Sequence, residues 1–151
     1  MTVTTFNHKD GAKSIPSDHV KAVLNTTESI PSPEKDTVRD HLLTTLKNKN
    51  GWSDQVKLAA DSNISITAKK GDVGLCLQTG NMGRMYADLL KLQCLYKSKV
   101  LKAAILIVPT RRLAKEHDYG ANVAQFERLT RELTIFDKVI TIPMVVIGMD
   151  V

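Results

Sequence analysis

A chain of 151 residues suits one domain with one ordinary core, and 42% apolar with 25% charged residues excludes a disordered or fibrous polymer. The longest apolar run, AAILIV at 103–108, is strand length and too short to span a bilayer, so no membrane role is expected. The net charge of +5 points towards polyanionic partners, nucleic acid first, though the same charge also serves a merely solubilising surface.

Residues 1–16 are polar and without periodicity and are expected to form a polar arm, leaving residues 17–151 as a single domain. Ser17 and Asp18 can cap a short helix to about Asn25, with Val20, Val23 and Leu24 on one face. A second helix start is written in IPSPEKD. Ser32 fits the N-cap, Pro33 the first helical position, and Glu34 and Asp36 the positive helix end. Val38, Leu42, Leu43 and Leu46 then form an apolar stripe, and Gly51 supplies the stop.

From Gln55 the period changes. VKL at 56–58 reads as a short strand, and Ile64, Ser65, Ile66 and Thr67 alternate as a half-buried strand should. KKGD at 69–72 is a turn, with Gly71 tolerating positive φ, and VGLCLQ at 73–78 is the returning strand. If Ala68 pairs with Val73, one face carries Ile64, Ile66, Val73, Leu75 and Leu77. The other face, small and partly polar, then carries Ser65, Thr67, Gly74, Cys76 and Gln78.

Asn81 can cap the next helix, whose stripe is Met85, Leu89, Leu92 and Tyr96, broadened by Leu90. KAAILIV at 102–108 lacks alternation and so predicts a central strand covered on both faces. TRRLAKEHDYGAN at 110–122 reads as a basic, irregular stretch. Asn122 is a candidate cap for a helix facing inward through Val123, Phe126, Leu129 and Leu133, and VITIPMVVIGM is the last strand, with Pro143 marking a bulge or an edge. The fold class is therefore α/β, a mixed sheet flanked by helices and preceded by an N-terminal helical segment. The two cysteines, Cys76 and Cys94, sit in apolar surroundings without CxxC spacing, and the amino terminus has no hydrophobic run of signal-peptide type. A cytoplasmic protein is expected.

This order of elements resembles the BglII and BstYI group of type II restriction endonucleases, within the PD-(D/E)XK nuclease superfamily. The resemblance rests on ITAKKGDVGLCLQTGN at 66–81, YADLLKLQ at 86–93, AAILIVPT at 103–110 and GANVAQFERLTREL followed by IPMVVIG. It covers residues from about Gly51 to Met149. It implies a restriction-endonuclease-like sheet, duplex DNA as partner, a homodimer and, where catalysis is intact, Mg²⁺ as cofactor. In that group the first hairpin strand carries an Asp and the second a Glu-x-Gln, the two acids holding the metal. Transferred by residue, Gln78 matches the Gln, while Cys76 stands at the Glu position and Thr67 at the Asp position. A neutral hydroxyl and a soft thiol are poor ligands for a hard cation, so the catalytic positions are degenerate and no metal ligand is assigned. Asp88 is the candidate displaced carboxylate. Its plainer role is a surface ion pair with Arg84 or Lys91, one turn away on the same helix. Cys76 can equally be a small buried hydrophobe, and Gln78 a satisfied core amide.

The candidate DNA-binding residues are Lys69 and Lys70 at the hairpin turn and Asn81 and Arg84 at a helix start whose N–H groups suit a phosphate. Arg111, Arg112, Lys115 and Asn122 follow a central strand, where loops carry function. Three functions remain open. The first is a DNA-binding protein derived from a restriction nuclease, with metal-dependent cleavage weakened or lost. The second is an active Mg²⁺-dependent endonuclease using displaced carboxylates. The third is a protein-interaction regulator or inhibitor in a bacterial or phage defence system.

Overall fold

The computed structural model describes residues 1–151. In chain order the elements are β1 (Thr2–His8), α1 (Gly11–Ser14), α2 (Ser17–Glu28), α3 (Lys35–Asn50), β2 (Val56–Lys57), β3 (Ser65–Ile66), β4 (Ala68–Lys70) and β5 (Val73–Leu77). They are followed by α4 (Met82–Lys97), β6 (Ala103–Pro109), α5 (Arg111–Glu116), α6 (Phe126–Ile135) and β7 (Met144–Asp150). Five strands form a mixed sheet in the order β1-β7-β6-β5-β4, and β2 and β3 form a separate ribbon. β5, β6 and β7 run parallel, and the edge strands β1 and β4 are antiparallel.

The strand alternation divides the core into two layers. Val73, Leu75, Leu77, Ile105, Ile107, Val145 and Ile147 share one cluster with Val23 of α2, Val38, Leu42 and Leu46 of α3 and Leu113 of α5. Cys76, Ala104, Leu106, Val108, Met144 and Val146 share the other with Met85, Leu89 and Leu92 of α4 and Leu129 and Leu133 of α6. Every residue of β6 is buried, as its unbroken apolar run predicts for a strand covered on both faces. Each of its Ile, Leu and Val side chains contributes about 1.5–3 kcal/mol when fully removed from water.

Several expectations hold. Gly51 ends α3 at φ 72, in the left-handed region where a Cβ is disfavoured. Asn81 caps α4, accepting from the Arg84 backbone N–H at 3.0 Å. The 56–58 strand is present as β2.

Other elements differ. Residues 2–8, expected within a polar arm, form β1 and pair with β7 along its whole length. The α3 helix starts at Lys35, with Glu34 in the cap position and no side-chain cap, so Ser32 and Pro33 lie outside it. The hairpin register is Ala68↔Leu75 rather than Ala68↔Val73. Its first strand is also broken at Thr67, with Ser65–Ile66 paired to β2 instead. Ile66 consequently packs with Cys76, on the face opposite Leu75, and Ile64 is exposed.

Leu90 is also exposed rather than widening the buried stripe of α4. Residues 111–116 are helical, capped by the Thr110 hydroxyl accepting from the Leu113 N–H, where an irregular loop was expected. Asn122 does not cap α6. It sits at φ 53, and Gln125 occupies the cap position. β7 is an interior strand, and Pro143 lies just before it with its carbonyl accepting from the Ala104 N–H at 3.0 Å. Neither a bulge nor an edge is therefore needed to accommodate the proline.

Candidate active-site cleft and its charges

At the carboxyl end of β5 the chain turns towards α4, the place where parallel α/β sheets commonly present ligand groups. The Gln78 N–H donates to the Ile107 carbonyl at 2.9 Å, extending the β5–β6 pairing by one step. The β5–α4 turn is then tied to the loop before α6. Ala124 N–H donates to the Gly80 carbonyl, and Met82 N–H to the Asn122 carbonyl, both within 3.0 Å. On this fixed frame a cleft of about 360 Å³ opens, lined by the first turns of α3, by β3, by the end of β5 with the turn after it, and by the first half of α4.

Gln78, Thr67, Arg84, Asp88 and Lys91 all line it, joined by Lys35 and Arg39 of α3. Lys91 Nζ lies 3.2 Å from Asp88 Oδ1, and Gln78 Nε2 donates to Asp88 Oδ2 at 2.6 Å. Gln78 Oε1 accepts from the Gly80 N–H at 2.9 Å. The amide orientation follows from its surroundings, because a carboxylate offers acceptors and a backbone N–H only a donor. Asp88 is 6% exposed and Lys91 is half-buried, so the pair lines the cleft rather than lying on the open surface as expected from spacing. Burial raises its pKa, opposed by the Gln78 hydrogen bond and the nearby Lys91 and Arg39 charges.

A carboxyl whose folded pKa exceeds its unfolded value binds its proton more tightly when folded. Its contribution is fully present below the ordinary carboxylate range and is lost as pH rises through the raised value. Asp88→Asn is therefore expected to gain stability relative to wild type as pH climbs through and above the ordinary carboxylate range. Urea denaturation at several pH values measures this difference. A constant difference across that range would contradict it.

Cys76 is placed elsewhere. It is 1% exposed, belongs to the apolar cluster beneath α4 and does not line the cleft. Burial pushes its thiol up, with Asp88 adding to the effect, and it stays protonated. The expected small polar face shared by Thr67, Cys76 and Gln78 is thus divided, two residues in the cleft and one in the core. Thr67 uses its hydroxyl to accept the Leu77 N–H at 3.1 Å, replacing a ladder bond where the first hairpin strand breaks.

Mg²⁺ requires several hard, mostly anionic oxygens. This cleft supplies one carboxylate, and both of its oxygens already accept from protein donors. Nowhere do three His, Cys, Asp or Glu side chains gather in a way that could hold a metal. The residues present do not fit Mg²⁺.

The remaining candidates separate by what they already bind. Lys70 donates to the Asn50 carbonyl at 2.7 Å and closes the end of α3, while Lys69 lies on the edge strand β4. Neither lines the cleft. The first-turn N–H groups of Met82 and Arg84 are taken by the Asn122 carbonyl and the Asn81 side chain. The side chain that the start of α4 offers the cleft is Arg84. Arg111, Lys115 and Asn122 line a second recess of about 370 Å³ together with Asp118. There Arg111 Nε donates to Gln125 Oε1 at 3.0 Å, and the Asn122 side chain accepts from Arg128 at 3.2 Å. Arg112 points away to Asp150 at 3.0 Å and to the Val151 carbonyl.

Sequence reasoning missed Lys35 and Arg39. Lys35 opens α3 and Arg39 follows the buried Val38, and nothing in the periodicity indicates that this polar side faces a cleft. Lys35 is held over the Tyr119 ring, 5.1 Å from its centroid, and donates to the Tyr119 carbonyl.

Comparison with known proteins gives a consistent family. A family model described as restriction endonuclease BglII/BglIII matches residues 13–149. The crystal structure of restriction endonuclease BglII complexed with a DNA 16-mer is similar with TM-score 0.82 at 13% identity, covering 100% of this chain and 79% of that one. The crystal structure of free BglII is similar with TM-score 0.76 at 12% identity, covering 100% of this chain and 80% of that one. No curated protein matches the chain by sequence. No helix is long and apolar enough to cross a membrane.

Proposed function

The chain belongs to the BglII/BglIII restriction endonuclease family, and from that membership we propose that it binds duplex DNA and has lost, or nearly lost, metal-dependent phosphodiester cleavage. One observation carries the reading. The cleft at the end of β5 holds four cationic side chains and one carboxylate, and that carboxylate is already bound by Lys91 and Gln78. The fold supports DNA as the ligand class, since BglII of the same fold has been crystallised with a DNA 16-mer. The chemistry argues against cleavage, since activation of water by Mg²⁺ needs a set of oxygen ligands that these residues do not supply.

Gel retardation of a mixed-sequence duplex, alongside nicking of supercoiled plasmid with Mg²⁺, tests both halves. The expected result is a retarded complex that dissociates as salt rises, with the plasmid left supercoiled. Nicking that disappears in Asp88→Ala or Gln78→Ala would instead establish the active-endonuclease reading with Asp88 as displaced ligand. No retardation even at low salt would remove DNA binding and leave the protein-interaction reading.

A further inference from the structure

The cleft gathers like charges from two helices, four cationic side chains facing a single carboxylate. Arg39 projects from α3, and Arg84 and Lys91 project from α4, all onto one cavity. Neither guanidinium forms an ion pair, and Arg84 is tied only through its backbone N–H to Asn81, although each presents five N–H donors in a fixed fork. Lys91 gives one of its three N–H groups to Asp88 and keeps two free. Planar guanidinium groups match phosphate oxygens in pairs, and an ammonium adds a point charge.

Asp88 is the one acidic group facing this cluster, and its position explains how the lysine is held. The carboxylate is fixed from the far side by Gln78 Nε2 at 2.6 Å and draws Lys91 to 3.2 Å. Here an ammonium stands beside the carboxylate, leaving the site with a surplus of positive charge. Resting on the DNA-binding reading above, we propose that this cleft has been converted from a cation site into an anion site. A backbone phosphate of duplex DNA is held directly by Arg39, Arg84 and Lys91, with no metal ion between protein and phosphate.

The test is fluorescence anisotropy of a labelled mixed-sequence duplex with the full chain, in EDTA and in Mg²⁺, across a salt series. The wild type is expected to bind at least as tightly in EDTA as in Mg²⁺. Arg39→Gln/Arg84→Gln is expected to weaken binding about tenfold or more and to lower the slope of log affinity against log salt by roughly 1, the contribution of one phosphate. Both arginines are exposed and unpartnered, so the variant should melt with the wild type. Lys97→Gln/Lys99→Gln, at the opposite end of α4, removes the same charge away from the cleft and is expected to leave the affinity within about twofold. Asp88→Asn is expected to tighten binding by roughly fivefold, the effect of removing one nearby negative charge.

Two results would overturn the inference while leaving DNA binding intact. One is wild-type affinity and slope in the double arginine variant. The other is binding that appears only with Mg²⁺. Failure of the wild type to bind duplex DNA in either buffer would instead overturn the functional reading on which the inference rests.

Discussion

Cys76→Glu is expected to destabilise the fold by about 3 kcal/mol or more at neutral pH, even though it puts an acid where the sequence resemblance expects one. The thiol is 1% exposed and lies within the apolar cluster of Met82, Met85, Leu89 and Leu106. A carboxylate there would lose its hydration without gaining a cation, and it would feel the Asp88 charge that already raises the thiol pKa. Glutamate also adds volume to a packed layer, a further cost of about 1–3 kcal/mol.

Urea denaturation measures the loss, and part of it should return at acid pH as the new carboxyl takes up a proton. Cys76→Ala, which introduces no charge, should cost only about 1 kcal/mol. If Cys76→Glu unfolded at the wild-type urea concentration, the side chain would have to reach the cleft, and the metal-site reading would reopen. On the expected outcome, the acid position has been absorbed into the core together with its surroundings, and single-residue reversion does not rebuild a nuclease.

The same residue shows how far the sequence could be read. Alternation placed Thr67, Cys76 and Gln78 on one face, and the slip from Ala68↔Val73 to Ala68↔Leu75, being two residues, would by itself keep that face. What alternation could not show is that Thr67 breaks the strand by turning its hydroxyl to the Leu77 N–H. The facing pattern therefore restarts between Ile66 and Ala68, which end in opposite core layers. The β6 run, the Gly51 stop and the Asn81 cap were legible because each is decided by a few adjacent residues.

The cleft was only half legible. Lys91 stands one turn from Asp88, so their pairing follows from helix spacing. The burial of Asp88, and the cleft it lines, depend on the end of β5 and on α3 lying across from it. Arg39 becomes relevant only when the first turn of α3 is placed beside β3, a relation set by tertiary packing alone.

The amino-terminal segment was not legible at all, and Gly11→Ala tests why. TVTTFNH is rich in threonine and carries few apolar residues, so its exposed edge-strand pattern resembles a polar arm. Its partner β7 lies at the other end of the chain, beyond the reach of any local signal. Two features nevertheless fasten it. His8 is buried, with Nε2 2.6 Å from the Ile140 carbonyl. The chain then turns through Lys9 and Asp10, at φ 52 and 56, to press Gly11 onto β7. A Cβ built on Gly11 would lie 2.2 Å from both the carbonyl carbon and oxygen of Met144. The obstacle is the backbone of an interior strand, which cannot move aside as a flexible side chain can. Gly11→Ala is therefore expected to cost about 3 kcal/mol in urea denaturation and to speed tryptic cleavage after Lys9 as β1 and α1 lift from the sheet. Wild-type stability with unchanged cleavage would mean that residues 1–16 behave as the detachable arm their composition suggests. The expected loss would instead make them part of the sheet, because removing β1 leaves the hydrogen-bonding edge of β7 unpaired.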